Sequence, residues 1–394
     1  MRVPHFSKLW ASNLVQFCCT YAQLLILQWL VTSLTESRTL IGLVSFIQGG
    51  VIFVTSPLSG VAVDRLARRN ILVAGRLGLA LVLCAVAALV ATGGIEVAHV
   101  LVASVALGLL MSLMQPATQT YVFDVVGRES LQSAVSLNAA ATGVGQTLGP
   151  LLGGALLGAA GFVVAYLSVA AGLVMAAGLL LLVPVPGVSG DGARETHWWA
   201  DLEEGLVYVV QHRAVLLALI VCSMSIFNGA LAAMRPIFAR HVLEVGSTGY
   251  GVMAGAAGLG GLVSALFVAT RPVARRPGLL IAASMLGFSV LIFLYAFAFS
   301  YEYILVVEFG TGVCGQLWMV ATFTGIQMAV PEEMRGRVMG LVFMVVMLAP
   351  MGALFVGMLA DFAGDQLAMG IFGAIPTLLL LGILAFGWRT LSEL

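Results

Sequence analysis

Apolar and polar positions follow one another along this chain in long blocks, with apolar runs of about 20 residues separated by short polar breaks. Each run is long enough to cross a hydrocarbon core of about 30 Å as a helix. The runs contain few prolines and show no alternation with a period of two, so they predict helices rather than barrel strands. About twelve spans are predicted, at 8–33, 39–61, 70–92, 98–123, 133–158, 162–184, 214–235, 248–270, 278–299, 302–329, 337–361 and 367–388.

The longest polar break, 185–213, divides the spans into two sets of six. The two sets are similar in sequence, because VAVDRLARR after span two corresponds to FVATRPVARR after span eight, with Arg271 in the place of Asp64. Internal repeats of this kind are typical of transporters. We therefore predict an all-α polytopic membrane protein with 12 transmembrane helices in two pseudo-symmetric six-helix bundles, 1–184 and 214–394. The linker 185–213 is predicted to be cytoplasmic and to carry an amphipathic interfacial helix.

Composition supports a lipid bilayer as the surroundings, since 61% of the 394 residues are hydrophobic and 9% are charged, against roughly 25% charged in average domains. The net charge of zero argues against a nucleic-acid partner. The five cysteines lie in apolar runs and the five histidines are scattered, so no disulfide framework, metal site, cofactor or catalytic cluster is indicated. The sequence predicts a monomeric membrane protein that takes a small-molecule substrate and is not an enzyme.

The basic residues predict the orientation in the membrane. With the N-terminus in the cytoplasm, all of the 18 lysines and arginines except Arg38, Arg235 and Arg240 fall on the cytoplasmic side, which satisfies the positive-inside rule. The start, MRVPHFSK, has no small-residue cleavage site and indicates an uncleaved first span. We expect a multi-pass protein in the cytoplasmic (inner) membrane of a prokaryote, with both termini in the cytoplasm.

Three motifs carry a resemblance to a known family over essentially the whole chain. GVAVDRLARR at 60–69, between spans two and three, resembles the signature loop of the major facilitator superfamily, except that Ala67 replaces the usual glycine. GQTLGPLLGG at 145–154 is similar to the antiporter motif of drug exporters in that superfamily. PEEMRGRVMGL at 331–341, together with the FSKLW start, resembles the branch of macrolide-efflux and siderophore exporters.

The resemblance implies a secondary active transporter that exports small amphipathic organic compounds by proton-coupled alternating access. An importer, or a lipid or lysolipid transporter of the same fold, is the alternative. Two residue types that often handle protons in relatives are missing, because Ser104 stands where many exporters have arginine, and Cys19 and Thr20 stand where many relatives have Gly-Asp. The coupling ion therefore stays open at this point.

The signature loop is expected to act as a conformational latch. The resemblance implies that Asp64 faces the N-terminus of span eleven, whose partial positive charge favours an anion by roughly 0.3–1 kcal/mol, and that Arg68 pairs with Asp124. Arg65 and Arg69 have a simpler interpretation as topology anchors. The candidate latch residues are Gly60, Asp64, Arg65, Arg68, Arg69 and Asp124.

The antiporter-like motif is expected to form a packing seam. Gly145, Gly149 and Gly153 recur every four residues, a pattern that lets helices approach closely, and Gly154 adds a further small residue. Pro150 lacks a backbone donor and should kink the helix.

Two charged residues are the candidates for proton or ion coupling. Glu308 lies inside a predicted span, where a charge costs roughly 2.5–3.5 kcal/mol at the bilayer centre and usually faces a cavity. Arg235 could pair with it or with an anionic substrate; alternatively, Glu308 is an interfacial acid paired with Arg235 or Arg240.

Polar side chains at helical spacing are predicted to line a substrate cavity that suits an amphipathic, largely neutral molecule. The alternative is that each of them only bonds neighbouring helices together. In the superfamily, spans one, four, seven and ten line the central cavity. The candidate cavity residues are Gln16, Thr20, Gln23, Gln115, Gln119, Asn138, Thr142, Asn228, Gln316 and Trp318.

Overall fold

A computed structural model describes residues 5–187, 198–270 and 277–392, without the side chains of 57, 61, 64 and 198–202. All regular structure in these ranges is helical. The helices are α1 (Phe6–Leu34), α2 (Arg38–Arg65), α3 (Arg68–Ala91), α4 (Val97–Val126), α5 (Leu131–Leu181), α6 (Trp198–Gln211), α7 (Arg213–Ser223), α8 (Ser225–Ile237), a π-helical turn (Phe238–Val242), α9 (Gly246–Ala269), α10 (Pro277–Tyr295), α11 (Tyr301–Ala329), α12 (Glu332–Val346), α13 (Ala349–Ala363) and α14 (Asp365–Leu391).

Eleven stretches within the described ranges are long and apolar enough to cross a membrane. One of them, α5, has 51 residues and contains Gly161 with φ 75° and ψ 178°, a conformation that only glycine adopts readily. The chain turns at Gly161, so α5 supplies two spans, which gives twelve. The all-α membrane fold and the number of spans predicted from hydropathy are therefore confirmed.

The chain forms two compact units. The first unit comprises 1–36, 43–193 and 244–258, and in its described part α5 packs against α1 and α3 while α4 lies along α3. The second unit comprises 37–42, 194–243 and 259–394, with α10 against α11 and α14, and α8 against α13. Neither unit is continuous in sequence, because α2 leaves the second unit after its first turn and α9 leaves the first unit after Gly258.

The glycines of the antiporter-like motif lie where α5 meets two other helices of the first unit. A Cβ atom added at Gly145 would lie 2.6 Å from Phe17 Cβ, and one at Gly149 would lie 2.6 Å from the Cys18 carbonyl oxygen of α1. One at Gly154 would lie 2.6 Å from the Ser247 carbonyl oxygen at the start of α9. The motif therefore allows α1 and α9 to pack on different faces of the same helix.

Candidate functional site

An ion pair joins the start of α3 to the end of α4 in the first unit. Arg68 Nη1 lies 2.6 Å from Asp124 Oδ1 and 2.7 Å from Oδ2, and both side chains are 14% exposed. Two hydrogen bonds to an ionised carboxylate in such a partly buried place are stronger than those of a surface pair. The structure thus brings together the two latch candidates that the resemblance paired.

The same end of the first unit also holds the chain that leaves α5. Arg68 N donates to the Gly187 carbonyl at 2.9 Å, and Arg69 Nη1 donates to the Val183 carbonyl at 3.0 Å. Tyr121 Oη donates to the Val185 carbonyl at 2.6 Å. These contacts with 183–187 were not predicted, because nothing in that apolar, proline-containing stretch marks it as a hydrogen-bond acceptor. They give Arg69 a partner within the unit.

The structure gives less information about the other latch candidates. Gly60 is half-buried in α2, and the Arg65 side chain is exposed. The side chain of Asp64 lies outside the described residues, as do the second-half counterparts Arg271, Arg275 and Arg276. The latch role itself is taken up as a proposal below.

A second site lies inside the second unit, around Glu308 of α11. Arg235 Nε of α8 is 2.6 Å from Glu308 Oε1, and Arg235 Nη2 is 2.8 Å from Oε2, so the pair is bidentate. Tyr295 Oη, at the end of α10, donates to Glu308 Oε1 at 3.0 Å, and Thr311 Oγ1 lies 3.5 Å from Oε2. The Glu308 side chain is 0% exposed and that of Arg235 is 18% exposed.

The backbone that follows Arg235 is irregular. Pro236 follows Arg235 and has no backbone donor, and the chain then widens into the π-helical turn that begins at Phe238. Phe238 packs edge to face on Tyr295, with ring centroids 4.9 Å apart, which fixes the ring that donates to Glu308. Of the two partners considered for an interfacial Glu308, Arg235 and Arg240, the structure gives Arg235, and the Glu308 carboxylate is buried within the second unit.

Of the cavity candidates on α1, some form hydrogen bonds in the structure and others do not. Gln16 Oε1 accepts from Arg76 Nη2 at 3.4 Å, and Asn138 Oδ1 of α5 accepts from Asn13 Nδ2 at 2.9 Å. Thr20 Oγ1 and both amide atoms of Gln23 are buried without a hydrogen-bond partner among the described residues. Polar groups in this state favour any ligand or water that can bond to them.

Arg76 is the residue that sequence reasoning placed wrongly, among the basic residues that set the orientation. It lies inside α3 and is 0% exposed. It donates to Ser12 Oγ, to the Ala176 carbonyl at 2.8 Å and to Asn13 Oδ1 at 2.9 Å, in addition to Gln16. The available signal was its spacing from Leu72 and Leu79, which puts Arg76 on the buried face of the helix.

The remaining cavity candidates are distributed over both units. In the first unit, Gln115 and Gln119 are exposed on α4, and Thr142 donates to the Asn138 carbonyl at 3.0 Å, a helix-internal bond. In the second unit, Asn228 and Gln316 are half-buried. Trp318 is buried with no partner for Nε1 within the part of the chain that the structure describes.

Two aspartates of the second unit hold the start of α2, which the sequence did not suggest. Asp361 accepts from Ser37 Oγ at 2.9 Å and from the backbone nitrogens of Arg38 and Thr39 at 2.8 and 2.9 Å. Asp365 forms an ion pair with Arg38, whose Nε lies 2.9 Å from Oδ1. Asp361 thus caps the N-terminus of α2, where backbone donors have no partner within the helix.

No group of three or more histidine, cysteine, aspartate or glutamate side chains in the described ranges is placed to hold a metal ion.

Comparisons with known proteins agree with this arrangement. The family model of the Major Facilitator Superfamily matches residues 9–351. The enterobactin exporter EntS of Shigella boydii serotype 4 (strain Sb227) is 25% identical over 313 residues, which covers 79% of this chain and 74% of that protein. EntS of Escherichia coli (strain SE11) gives the same identity and coverage.

Two solved structures share the fold. A mutant of the peptide transporter POT superposes with a TM-score of 0.78 at 14% identity, covering 98% of this chain and 95% of that one. The nucleoside transporter NupG gives 0.75 at 12% identity, covering 97% and 98%. At these identities the likeness shows the fold alone. Because the family model spans most of the chain, and because the relatives and structural neighbours named here are transporters, this chain belongs to the Major Facilitator Superfamily and is a membrane transporter.

Proposed function

We propose that this transporter exports small amphipathic organic compounds across the inner membrane of a prokaryote, as a monomer with both termini in the cytoplasm, by proton-coupled alternating access. The direction is supported by the distant relationship to proteins named as enterobactin exporters. The single observation that carries the coupling mechanism is the buried bidentate pair of Arg235 and Glu308.

Glu308 has the properties of a coupling carboxylate. Its charge is compensated by the Arg235 guanidinium and by the Tyr295 hydroxyl, so the ionised form is held in a fixed geometry. A proton on Glu308 would cancel the carboxylate charge with which the Arg235 guanidinium forms its ion pair. Such a change alters the energy of the site by several kcal/mol, which is enough to bias a two-state equilibrium.

Glu308 then links protonation to cargo. With Glu308 ionised, the carboxylate can accept a hydrogen bond from a donor on the cargo, as it does from Tyr295; with Glu308 protonated, that acceptor is lost. A proton and the cargo would therefore compete for one carboxylate, which is the requirement for exchange of a proton against a substrate.

Two further clusters fit the conformational part of the proposal. Arg68, Asp124 and the 183–187 segment tie together one end of the first unit, and Asp361 with Asp365 ties the first turn of α2 into the second unit. Each is a small set of charged contacts, so breaking either one costs only a few kcal/mol, as a reversible switch needs. We propose that the first set acts as the cytoplasmic latch, together with Asp64.

The test is gradient-driven uptake into everted membrane vesicles, with radiolabelled enterobactin and erythromycin as probes. Wild-type vesicles should accumulate at least one of them, and a protonophore should abolish the accumulation. Glu308→Gln should lose accumulation against a gradient but retain exchange of labelled for unlabelled compound, because binding remains while proton binding is removed. Glu204→Gln, at a solvent-exposed carboxylate, is the matched control and should behave as wild type.

Three outcomes would contradict parts of the proposal. Uptake by right-side-out vesicles alone would indicate an importer. Protonophore-sensitive accumulation by Glu308→Gln equal to wild type would exclude Glu308 from coupling. No uptake of either probe in either orientation would remove the support that the relatives give to export of such compounds.

A further inference from the structure

We propose that Arg76 is the anion-recognition residue of a substrate subsite inside the first unit, and that the transported compounds carry a carboxylate or another anionic oxygen group. This inference deepens the proposed function by naming the substrate class, and it rests on that function. It changes the expectation from the sequence, which favoured a largely neutral cargo.

The first observation is the isolation of the Arg76 charge. The side chain is fully buried, and its acceptors are a serine hydroxyl, two side-chain amides and a backbone carbonyl, none of which carries a charge. Among the described residues no carboxylate lies within ion-pair distance of it. Asp124, a partly buried carboxylate of the first unit, is paired with Arg68.

A buried charge without a counter-ion is expensive, and ionisable groups inside membrane helices characteristically mark the path of a substrate or an ion. The second unit contains another arginine within a span, the partly buried Arg235, and its ion-pair partner is Glu308. The described groups Arg76, Arg235 and Glu308 therefore leave the positive charge of Arg76 without a carboxylate partner. An anionic group on the cargo would supply the missing partner.

The second observation is unused hydrogen-bonding capacity beside Arg76. Arg76 Nε is buried with no partner among the described atoms, as are Thr20 Oγ1 and the whole Gln23 amide. Gln16, which accepts from Arg76, and Gln23 lie two turns apart on α1, a rise of about 10 Å. A compound with an anionic group at one end and a hydroxyl or carbonyl about 10 Å or less away would satisfy both places.

Arg76 is also positioned to exchange its present partners for a ligand. Ser12, Asn13 and Gln16 all belong to α1, and neutral acceptors bind a guanidinium less strongly than a carboxylate does. A carboxylate that accepts two hydrogen bonds from the guanidinium would therefore replace two of these acceptors with a more favourable binding free energy, because the planar guanidinium matches the geometry of a carboxylate.

The experiment is equilibrium dialysis of the purified transporter in phosphatidylcholine nanodiscs, with empty nanodiscs subtracting partition into lipid. The probes are 2-naphthoate, its neutral isostere 2-naphthamide, and 6-hydroxy-2-naphthoate, whose hydroxyl lies at the far end of the ring system. We expect naphthoate to bind saturably, with a dissociation constant at least about tenfold lower than that of naphthamide. One hydrogen bond between charged groups changes a dissociation constant by about that factor or more. The hydroxyl should tighten binding further, and Gln23→Leu should remove that gain.

Arg76→Gln should abolish the preference for naphthoate over naphthamide, and Arg76→Lys should retain part of it, because charge and not shape is the cause. Arg128→Gln is the control, since Arg128 is an exposed arginine of the first unit outside the proposed sites and its loss should leave all three affinities unchanged. A monodisperse elution profile shows that a variant has folded. Equal binding of naphthoate and naphthamide, no saturable naphthoate binding, or a preference that survives Arg76→Gln would overturn the proposal. Vesicle uptake tests export separately, so loss of one result does not imply loss of the other.

Discussion

The strongest quantitative prediction concerns the pair of Arg235 and Glu308. Glu308→Met should leave the Arg235 guanidinium, 18% exposed, without its two charge-assisted bonds of 2.6 and 2.8 Å. Removing one partner of a buried ion pair costs about 3–5 kcal/mol. Arg235→Met should cost about the same, because it leaves a fully buried carboxylate with the Tyr295 hydroxyl as its main remaining donor.

The double variant, Arg235→Met with Glu308→Met, should lie within about 1 kcal/mol of wild type, since two apolar side chains of similar length replace two buried charges. The double-mutant cycle would then give a coupling energy of several kcal/mol. The assay is equilibrium unfolding of the purified protein in mixed dodecyl maltoside and SDS micelles, followed by circular dichroism.

The pair of Arg337 and Glu204 is the internal control. Its nitrogen–oxygen distance is also 2.6 Å, but the side chains are 33% and 59% exposed, so each single change should cost no more than about 1 kcal/mol. If the Arg235 and Glu308 single variants cost as little as these controls, or if their costs simply add in the double variant, the reasoning from burial is wrong.

Three other changes test separate parts of the structure. Gly149→Ala should lower the free energy of unfolding in the same assay by about 1–3 kcal/mol, because its Cβ would lie 2.6 Å from the Cys18 carbonyl oxygen. Gly178→Ala, with open space around the glycine, should raise the free energy of unfolding by up to about 1 kcal/mol; equal effects would contradict the close packing of α1 on α5 at Gly149. Arg68→Gln should lower the free energy of unfolding by about 1–3 kcal/mol, because Asp124 loses its guanidinium partner. Arg65→Gln, at an exposed arginine, should change it by no more than about 0.5 kcal/mol, and equal effects of the two variants would show that the ion pair does not stabilise the protein. Asp361→Asn should speed amide hydrogen exchange at 38–39, measured by mass spectrometry, because an amide group is a poorer acceptor for three donors than a carboxylate; unchanged exchange would refute the helix cap.

Much of the fold could be predicted from the sequence for a simple physical reason. Backbone groups in a bilayer must be hydrogen-bonded within their own segment, so the length of an apolar run is enough to identify a helix. The predicted spans 133–158 and 162–184 also correspond to the two parts into which Gly161 divides the 51 residues of α5. The signature loop and the antiporter-like motif then identified the family.

The sites were harder to predict, because a buried charge is recognised only by what surrounds it. Sequence alone left Glu308 with two possible partners, and the distances select Arg235. Arg76 differed from the anchoring arginines nearby only in its spacing from Leu72 and Leu79, and its burial became known only from the structure. Asp361 gave no signal at all, since its donors stand more than 300 residues away in the chain.

By itself, the sequence determined the membrane environment, the helical class, the number of spans and the family of this transporter, because these depend on the length and order of apolar segments and on short motifs. Only the tertiary structure decided which charges are paired, that Arg76 has no carboxylate partner among the described residues, and which unit holds the first turn of α2. Hydropathy patterns record the position of a residue along one helix. The energy of a buried charge depends on atoms within a few ångströms, and most of these come from helices that lie far away in sequence.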